Sequence, residues 1–237
     1  METVFITGAN RGIGHELARQ CAARGDRVIA TARRLETVEP LRTEFGERVL
    51  PLALDVRDDR SIAAMRAALG GTVHAVDLLF NCAGLYSLHS ASWNAEATRF
   101  PTISRDELNT VFDVNATGAM LVLKALLDLL LHADRPRVLN FSSLLGSVSV
   151  RQSGGDYAYA ASKAALNIMT RSFAAEYRDA GLVAIAVTPG WVHTDMGGTD
   201  ATLSPEESVR GLLQVAERLT PADSGLFVDY QGIRQPW

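Results

Sequence analysis

The chain has 237 residues, 47% hydrophobic and 21% charged, which fits an ordinary globular protein and makes a single domain over 1–237 the expectation. A formal charge of −4 argues against nucleic acid or an anionic membrane surface as partner. Two cysteines, Cys21 and Cys82, are too few for a disulfide framework or a zinc site. Strand-like residues from Thr3 leave no room for a signal peptide, and Lys124 and Asp128 break the best membrane-spanning run, so a cytoplasmic location and no membrane are expected.

Short β-branched runs at 4–7, 28–31, 49–54, 77–80, 138–141, 183–188 and 226–228 are continuously apolar, as in parallel strands buried on both faces. Helical stripes lie between them, with Ile13, Leu17 and Cys21 in the first and Ile62, Met65 and Leu69 in the third. Gly25, Gly46, Gly70 and Gly181 each follow a proposed helix, where a left-handed residue is wanted. Ser104 and Glu107 read as a capping box opening one long helix through about residue 131. Strict βα alternation predicts an α/β fold: a doubly wound (Rossmann) parallel sheet of about seven strands with helices on both faces.

The first strand runs through Thr7 into Gly8-Ala9-Asn10-Arg11-Gly12-Ile13-Gly14 and the first helix. Glycines at such a junction permit a tight turn and let backbone approach a pyrophosphate, which the helix N-terminus attracts. The end of the second strand selects between dinucleotides, because a carboxylate there accepts from the ribose 2′-hydroxyl of NAD. Here residues 28–34 hold no acid; Ala32 takes that place and Arg33 follows. A guanidinium suits bidentate phosphate contact, and Arg11 could approach from the glycine turn, so NADP(H) is the expected cofactor.

Tyr159 and Lys163 lie four residues apart, hence on one helix face. A cation beside a phenol favours phenolate, so Lys163 and an oxidised nicotinamide ring are expected to pull the Tyr159 pKa toward working pH for acid–base chemistry. Tyr157 is the rival, but it is displaced from Lys163 by about 240° around the helix. The five histidines show no metal-ligand spacing, and no metal is expected.

These motifs resemble the short-chain dehydrogenase/reductase family along nearly the whole chain, starting with its Thr-Gly-x-x-x-Gly-x-Gly turn. The resemblance implies adenine contacts from Asp55 and Val56. It implies further cofactor contacts from Asn81, Ala83 and Gly84, with Cys82 a small packed side chain, and from Pro189, Gly190, Val192 and Thr194 after the sixth strand. Its catalytic serine falls on Ser143, which would donate to the substrate carbonyl, and its helix asparagine on Asn115, which would hold a water linking Lys163 to solvent. Tyr159 lies 16 positions after Ser143, a longer spacing than the family's usual one, which puts an insertion near Ser153-Gly154-Gly155 at the rim of the pocket.

Residues 6–14, 159–167, 189–198 and 225–232, with the terminal Pro236-Trp237, are similar to a branch of carbonyl reductases, the C-factor-like or sniffer-like members. That branch implies NADPH-dependent reduction of a small-molecule aldehyde, ketone or quinone. A secondary-alcohol dehydrogenase, a nucleotide-binding signalling protein with little turnover and a sugar-nucleotide epimerase are the alternatives; about 50 residues after Pro189 are few for an epimerase lobe. The short segment between Pro189 and Ser204 suggests a small lid and a permissive pocket. Residues 120–131 are apolar around most of a helix, and by resemblance a homodimer through the 105–131 and 157–180 helices is expected.

Overall fold

The computed structural model describes residues 1–90, 93–94 and 96–237. Its seven strands are β1 (Thr3–Thr7), β2 (Arg27–Ala32), β3 (Val49–Ala53), β4 (Leu78–Asn81), β5 (Arg137–Phe141), β6 (Val183–Thr188) and β7 (Phe227–Asp229). All seven expected strands form, with ends shifted by at most one or two residues. They make one parallel sheet in the order β3-β2-β1-β4-β5-β6-β7. β-Branched and aliphatic residues suit strands covered on both sides, and every residue of β4, β5 and β6 is buried.

Two apolar layers sandwich the sheet. α1 (Gly12–Ala23), α2 (Glu39–Phe45) and α7 (Pro205–Arg218) cover one face through Leu17, Cys21, Leu41 and Leu212. α3 (Asp59–Leu69), α5 (Gly118–Leu131) and α6 (Tyr157–Glu176) cover the other through Met65, Val122, Leu126 and Phe173. The sheet is extended by β2 on one side of β1 and by β4 on the other, so the chain reverses direction across the sheet there. That reversal opens a crevice at the carboxyl ends of the strands, where ligands of this architecture bind.

Three local expectations are corrected. The long helix is in three parts: α4 (Arg105–Phe112), a π-helical turn Asp113–Thr117, and α5. Gly118 follows that turn, and a Cβ there would lie 2.6 Å from the Val56 carbonyl oxygen, so only glycine lets the helix come this close to the end of β3. The capping box is half formed: Ser104 accepts from the Glu107 N–H, but the Glu107 carboxylate turns to accept from the Leu88 N–H at 2.9 Å. After α3, the left-handed residue is Gly71 (φ +77°) rather than Gly70 (φ −57°). Residues 105–131 are long and apolar enough for a membrane span by composition, but half of that stretch is buried against the sheet and its neighbours. Asp128, on its polar stripe, pairs with Arg66 of α3 at 2.5 Å.

Candidate active site

The crevice is a cleft of about 860 Å³ running from Ala32 and Arg33, past the glycine turn, to Tyr159 and Lys163. Gly8 (φ +71°) and Gly12 (φ +53°) take the left-handed backbone that the turn requires. A Cβ on Gly8 would lie 3.0 Å from the Ala83 backbone, so the turn is packed tightly against the segment after β4. The Thr7 hydroxyl fixes that approach by accepting from the N–H groups of both Cys82 and Ala83 at 2.9 Å. α1 starts at Gly12 with no side-chain cap and no acid in its first turn, leaving its N–H groups and positive dipole end for an anion.

Most of the expected cofactor contacts line this cleft: Gly8, Asn10, Arg11, Gly12, Ile13 and Gly14 from the turn, Arg33, Asp55, Val56, Ala83 and Gly84 beside it, and Pro189 and Thr194 after β6. Three do not present side chains to it. Asn81 is buried, its amide donating to Ala119 O and to Asn140 Oδ1 at 2.8 Å. Gly190 (φ +84°) faces Leu203 and the Tyr230 ring, and Val192 is buried beside Leu203, to which it is bridged.

The two arginines differ. Arg33 is exposed at the rim and has no ion pair among the described residues, whereas Arg11 Nη1 donates to Asp195 Oδ2 at 2.8 Å. That pair spans the cleft from the glycine turn to the segment after β6, where Thr194 also lies close to Gly12. The segment folds on itself, with Trp191 Nε1 donating to Gly197 O at 2.8 Å. Burial disfavours the Asp55 carboxylate, but hydrogen bonds from Arg57 outweigh it and hold the carboxyl below its usual range.

At the far end, α6 presents Tyr159 and Lys163 side by side, with the ammonium 5.5 Å from the centre of the phenol ring. Lys163 is 4% exposed and donates from Nζ to the Phe141 carbonyl oxygen at 2.6 Å. Gly146 permits this, since a Cβ there would fall 2.7 Å from the Lys163 Cβ. Burial pulls Lys163 down to about 8 and pushes Tyr159 up to about 12, with the Ser143 hydroxyl drawing the phenol the other way. In the protein alone the Tyr159 pKa is raised: desolvation dominates, and the ammonium lies over the ring, bonded to a carbonyl. Tyr157 packs edge-on against Phe100 outside the cleft. Cys82 lines the cleft but burial pushes its thiol up to about 12, so it is no thiolate at neutral pH.

Asn115 sits in the π-helical turn with its side chain fully engaged. Its Oδ1 accepts from Leu85 N at 2.8 Å, and its Nδ2 donates to Leu85 O and to Ser162 Oγ. The side chain thus clamps the segment after β4 to α6, next to Lys163. Ser143 ends the run from β5, its Oγ accepting from Leu145 N at 3.2 Å. Among the described residues no three His, Cys, Asp or Glu side chains gather as a metal site.

A family model described as short chain dehydrogenase matches residues 2–202. The chain belongs to the short-chain dehydrogenase/reductase family. It is therefore an oxidoreductase, and the matched range includes the glycine turn and the Tyr159–Lys163 pair. C-signal of Myxococcus xanthus is 41% identical over 162 residues, covering 68% of this chain and 93% of that protein. An NADPH-bound carbonyl reductase from chicken fatty liver superposes with TM-score 0.90 at 31% identity, covering 100% of this chain and 99% of that one. The carbonyl reductase Sniffer of D. melanogaster superposes with TM-score 0.90 at 29% identity, covering all of both chains.

In this short-chain dehydrogenase/reductase the residues after Ser143 form a helical turn, Leu144–Gly146, and then an arch. Arg151 folds back from the arch onto the Gly155 carbonyl and lies 3.5 Å from the Asp156 carboxylate. Asp156 and Tyr86, both buried beside Tyr159, were not singled out by the sequence reading. The signal available was faint: an aromatic two positions after Gly84 and an acid three positions before Tyr159.

Proposed function

We propose that this enzyme reduces the carbonyl group of an aldehyde, ketone or quinone with NADPH, Tyr159 acting as proton donor. The observation that carries this reading is the Tyr159–Lys163 pair at one end of a dinucleotide-sized cleft whose other end holds Arg33, with Ala32 and no acid at the end of β2. The residues fit the cofactor. Left-handed glycines expose backbone N–H groups, and the buried Ser142 hydroxyl has no hydrogen-bond partner within the protein. Bound there, the nicotinamide supplies a hydride to the substrate carbon.

The chain's own groups do the rest. The N-terminus of α1 binds the diphosphate and Arg33 the 2′-phosphate. With its pKa raised to about 12, the Tyr159 phenol keeps its proton at neutral pH, the form a donor to a nascent alkoxide needs. Ser143 donates a second hydrogen bond to the same oxygen, and Lys163 holds positive charge beside it. The small lid leaves a permissive pocket. We also propose a homodimer built through the 105–131 and 157–180 helices.

The 41% likeness to C-signal favours a second reading, a nucleotide-binding signalling protein with little turnover. Purified protein should consume NADPH with at least one member of a panel of aldehydes, ketones and quinones. Tight NADPH binding with no consumption across the panel would favour the second reading.

A further inference from the structure

Asp156 immediately precedes α6, the helix that carries Tyr159, and is 4% exposed. Among the described residues it is the one non-glycine with positive φ, at φ 53° and ψ 27°. Side chains other than Asp and Asn rarely take this backbone, and such geometry persists only where the surroundings impose it. The surroundings here are specific. Tyr86 donates from its hydroxyl to Asp156 Oδ1 at 2.5 Å, and Thr98 donates to the same oxygen at 3.2 Å while accepting from the Asp156 N–H. Arg151 approaches the other carboxylate oxygen. One buried carboxylate therefore ties the segment after β4, the 98 region and the arch after β5 to the first residue of the catalytic helix.

The tie reaches the phenol. Tyr86 is 3% exposed, and its ring packs against the Tyr159 ring with centroids 5.4 Å apart. The Lys163 ammonium also lies over the Tyr159 ring, 5.5 Å from its centre. The Tyr86 hydroxyl is occupied by Asp156, which anchors the far end of the Tyr86 ring and so the wall against which Tyr159 rests.

We propose that Asp156 is a positioning residue for carbonyl reduction: through its hydrogen bond to Tyr86 it fixes the Tyr86 ring, and that ring sets the orientation of the Tyr159 phenol. Neither residue lines the cleft. The inference rests on Tyr159 being the proton donor, as proposed above. A phenol free to tilt spends less time aligned with the carbonyl oxygen, and misplacement of this kind lowers turnover more than binding.

The test is a double-mutant cycle on the whole enzyme, with NADPH and the best carbonyl substrate of the panel. Asp156→Ala and Tyr86→Phe should each lower kcat about tenfold, with KM and the NADPH Kd changed by less than about threefold. The double variant should lose no more than the worse single variant, because both changes cut one tie. Asp156→Asn keeps an acceptor and a side chain suited to this backbone, so it should retain kcat to within about threefold. Unchanged kcat in Tyr86→Phe, or fully additive losses in the double variant, would overturn the proposal. A readout without turnover separates this from the reaction assignment. With fluorotyrosine incorporated, the fluorine NMR line missing from Tyr159→Phe should be single in the wild type and broadened or split in Tyr86→Phe. An unaltered line there overturns the tie, whereas a wild type that consumes no NADPH overturns the reaction and leaves the line to decide the tie.

Discussion

Lys163 donates from Nζ to the carbonyl oxygen of Phe141, the last residue of β5, at 2.6 Å. The pair joins α6 to the strand leading to Ser143, and it keeps a charged group almost wholly buried. Burial lowers the Lys163 pKa from its ordinary 10.5 to about 8. Between those values the unfolded chain binds more protons than the folded one, so the wild type should gain stability as pH rises across that window. The shift corresponds to a penalty on the order of 3 kcal/mol at neutral pH. Lys163→Met removes it and leaves the Phe141 carbonyl without its donor, at a cost of about 1 kcal/mol or more. The variant should be inactive yet more stable at pH 7, and the gap should close toward pH 10. Urea midpoints for both proteins at the two pH values measure this; a gap that did not change with pH would contradict the buried charge.

Tyr159→Phe should bind NADPH as the wild type does, because no part of the glycine turn is altered. Its kcat should fall by about 10²–10⁴, the usual worth of a positioned general acid. Tyr157→Phe should be nearly silent, since that ring packs on Phe100 outside the cleft. Steady-state kinetics on both variants decide the assignment, and near-normal kcat in Tyr159→Phe would remove Tyr159 from the mechanism.

The sheet was legible in the sequence because strands buried on both faces must be apolar throughout, and no other element here has that pattern over so few residues. The glycine turn and the Tyr159–Lys163 pair were legible because their chemistry depends on spacing within one element. What escaped depends on loops meeting across the fold. Tyr86 and Asp156 are 70 positions apart, and Arg11 and Asp195 are 184 apart, so no local pattern joins them. The adjacent Gly70 and Gly71 could each take the left-handed turn, and only packing selects the second. The π-helical turn at Asn115 leaves the apolar periodicity around it almost intact, so one long helix was the natural reading. The raised Tyr159 pKa of the protein alone was not legible, because charge spacing is visible in a sequence and desolvation is not.

The outer face of α6 carries Ile168, 61% exposed, and Met169, with Leu131 exposed at the end of α5. Single exposed apolar residues are ordinary, but these lie on the two helices proposed to pair across a two-fold axis. Light scattering at micromolar concentration should return twice the 25.6 kDa chain mass. Ile168→Arg should shift the protein to the single-chain mass without changing its NADPH affinity. A wild type at 25.6 kDa would rule the dimer out.

Cofactor choice should follow Arg33 more than Arg11. Ala32 stands at the end of β2, where a carboxylate would repel a 2′-phosphate, and Arg33 beside it is exposed with no ion-pair partner among the described residues. Arg11 must first leave Asp195, a contact 2.8 Å long between two side chains 58% and 67% exposed. An exposed pair of this kind holds by about 1 kcal/mol or less, enough to reduce Arg11's contribution and too little to abolish it. Three consequences can be read from the ratio of kcat/KM for NADPH to that for NADH. Arg33→Ala should lower the ratio more than Arg11→Ala does. Asp195→Asn should raise it, because it releases the Arg11 guanidinium toward the phosphate. Ala32→Asp combined with Arg33→Ala should move it toward NADH by about a hundredfold, equivalent to roughly 3 kcal/mol of differential binding. A wild type with equal or higher kcat/KM for NADH would overturn the assignment of Arg33, whatever the variants did.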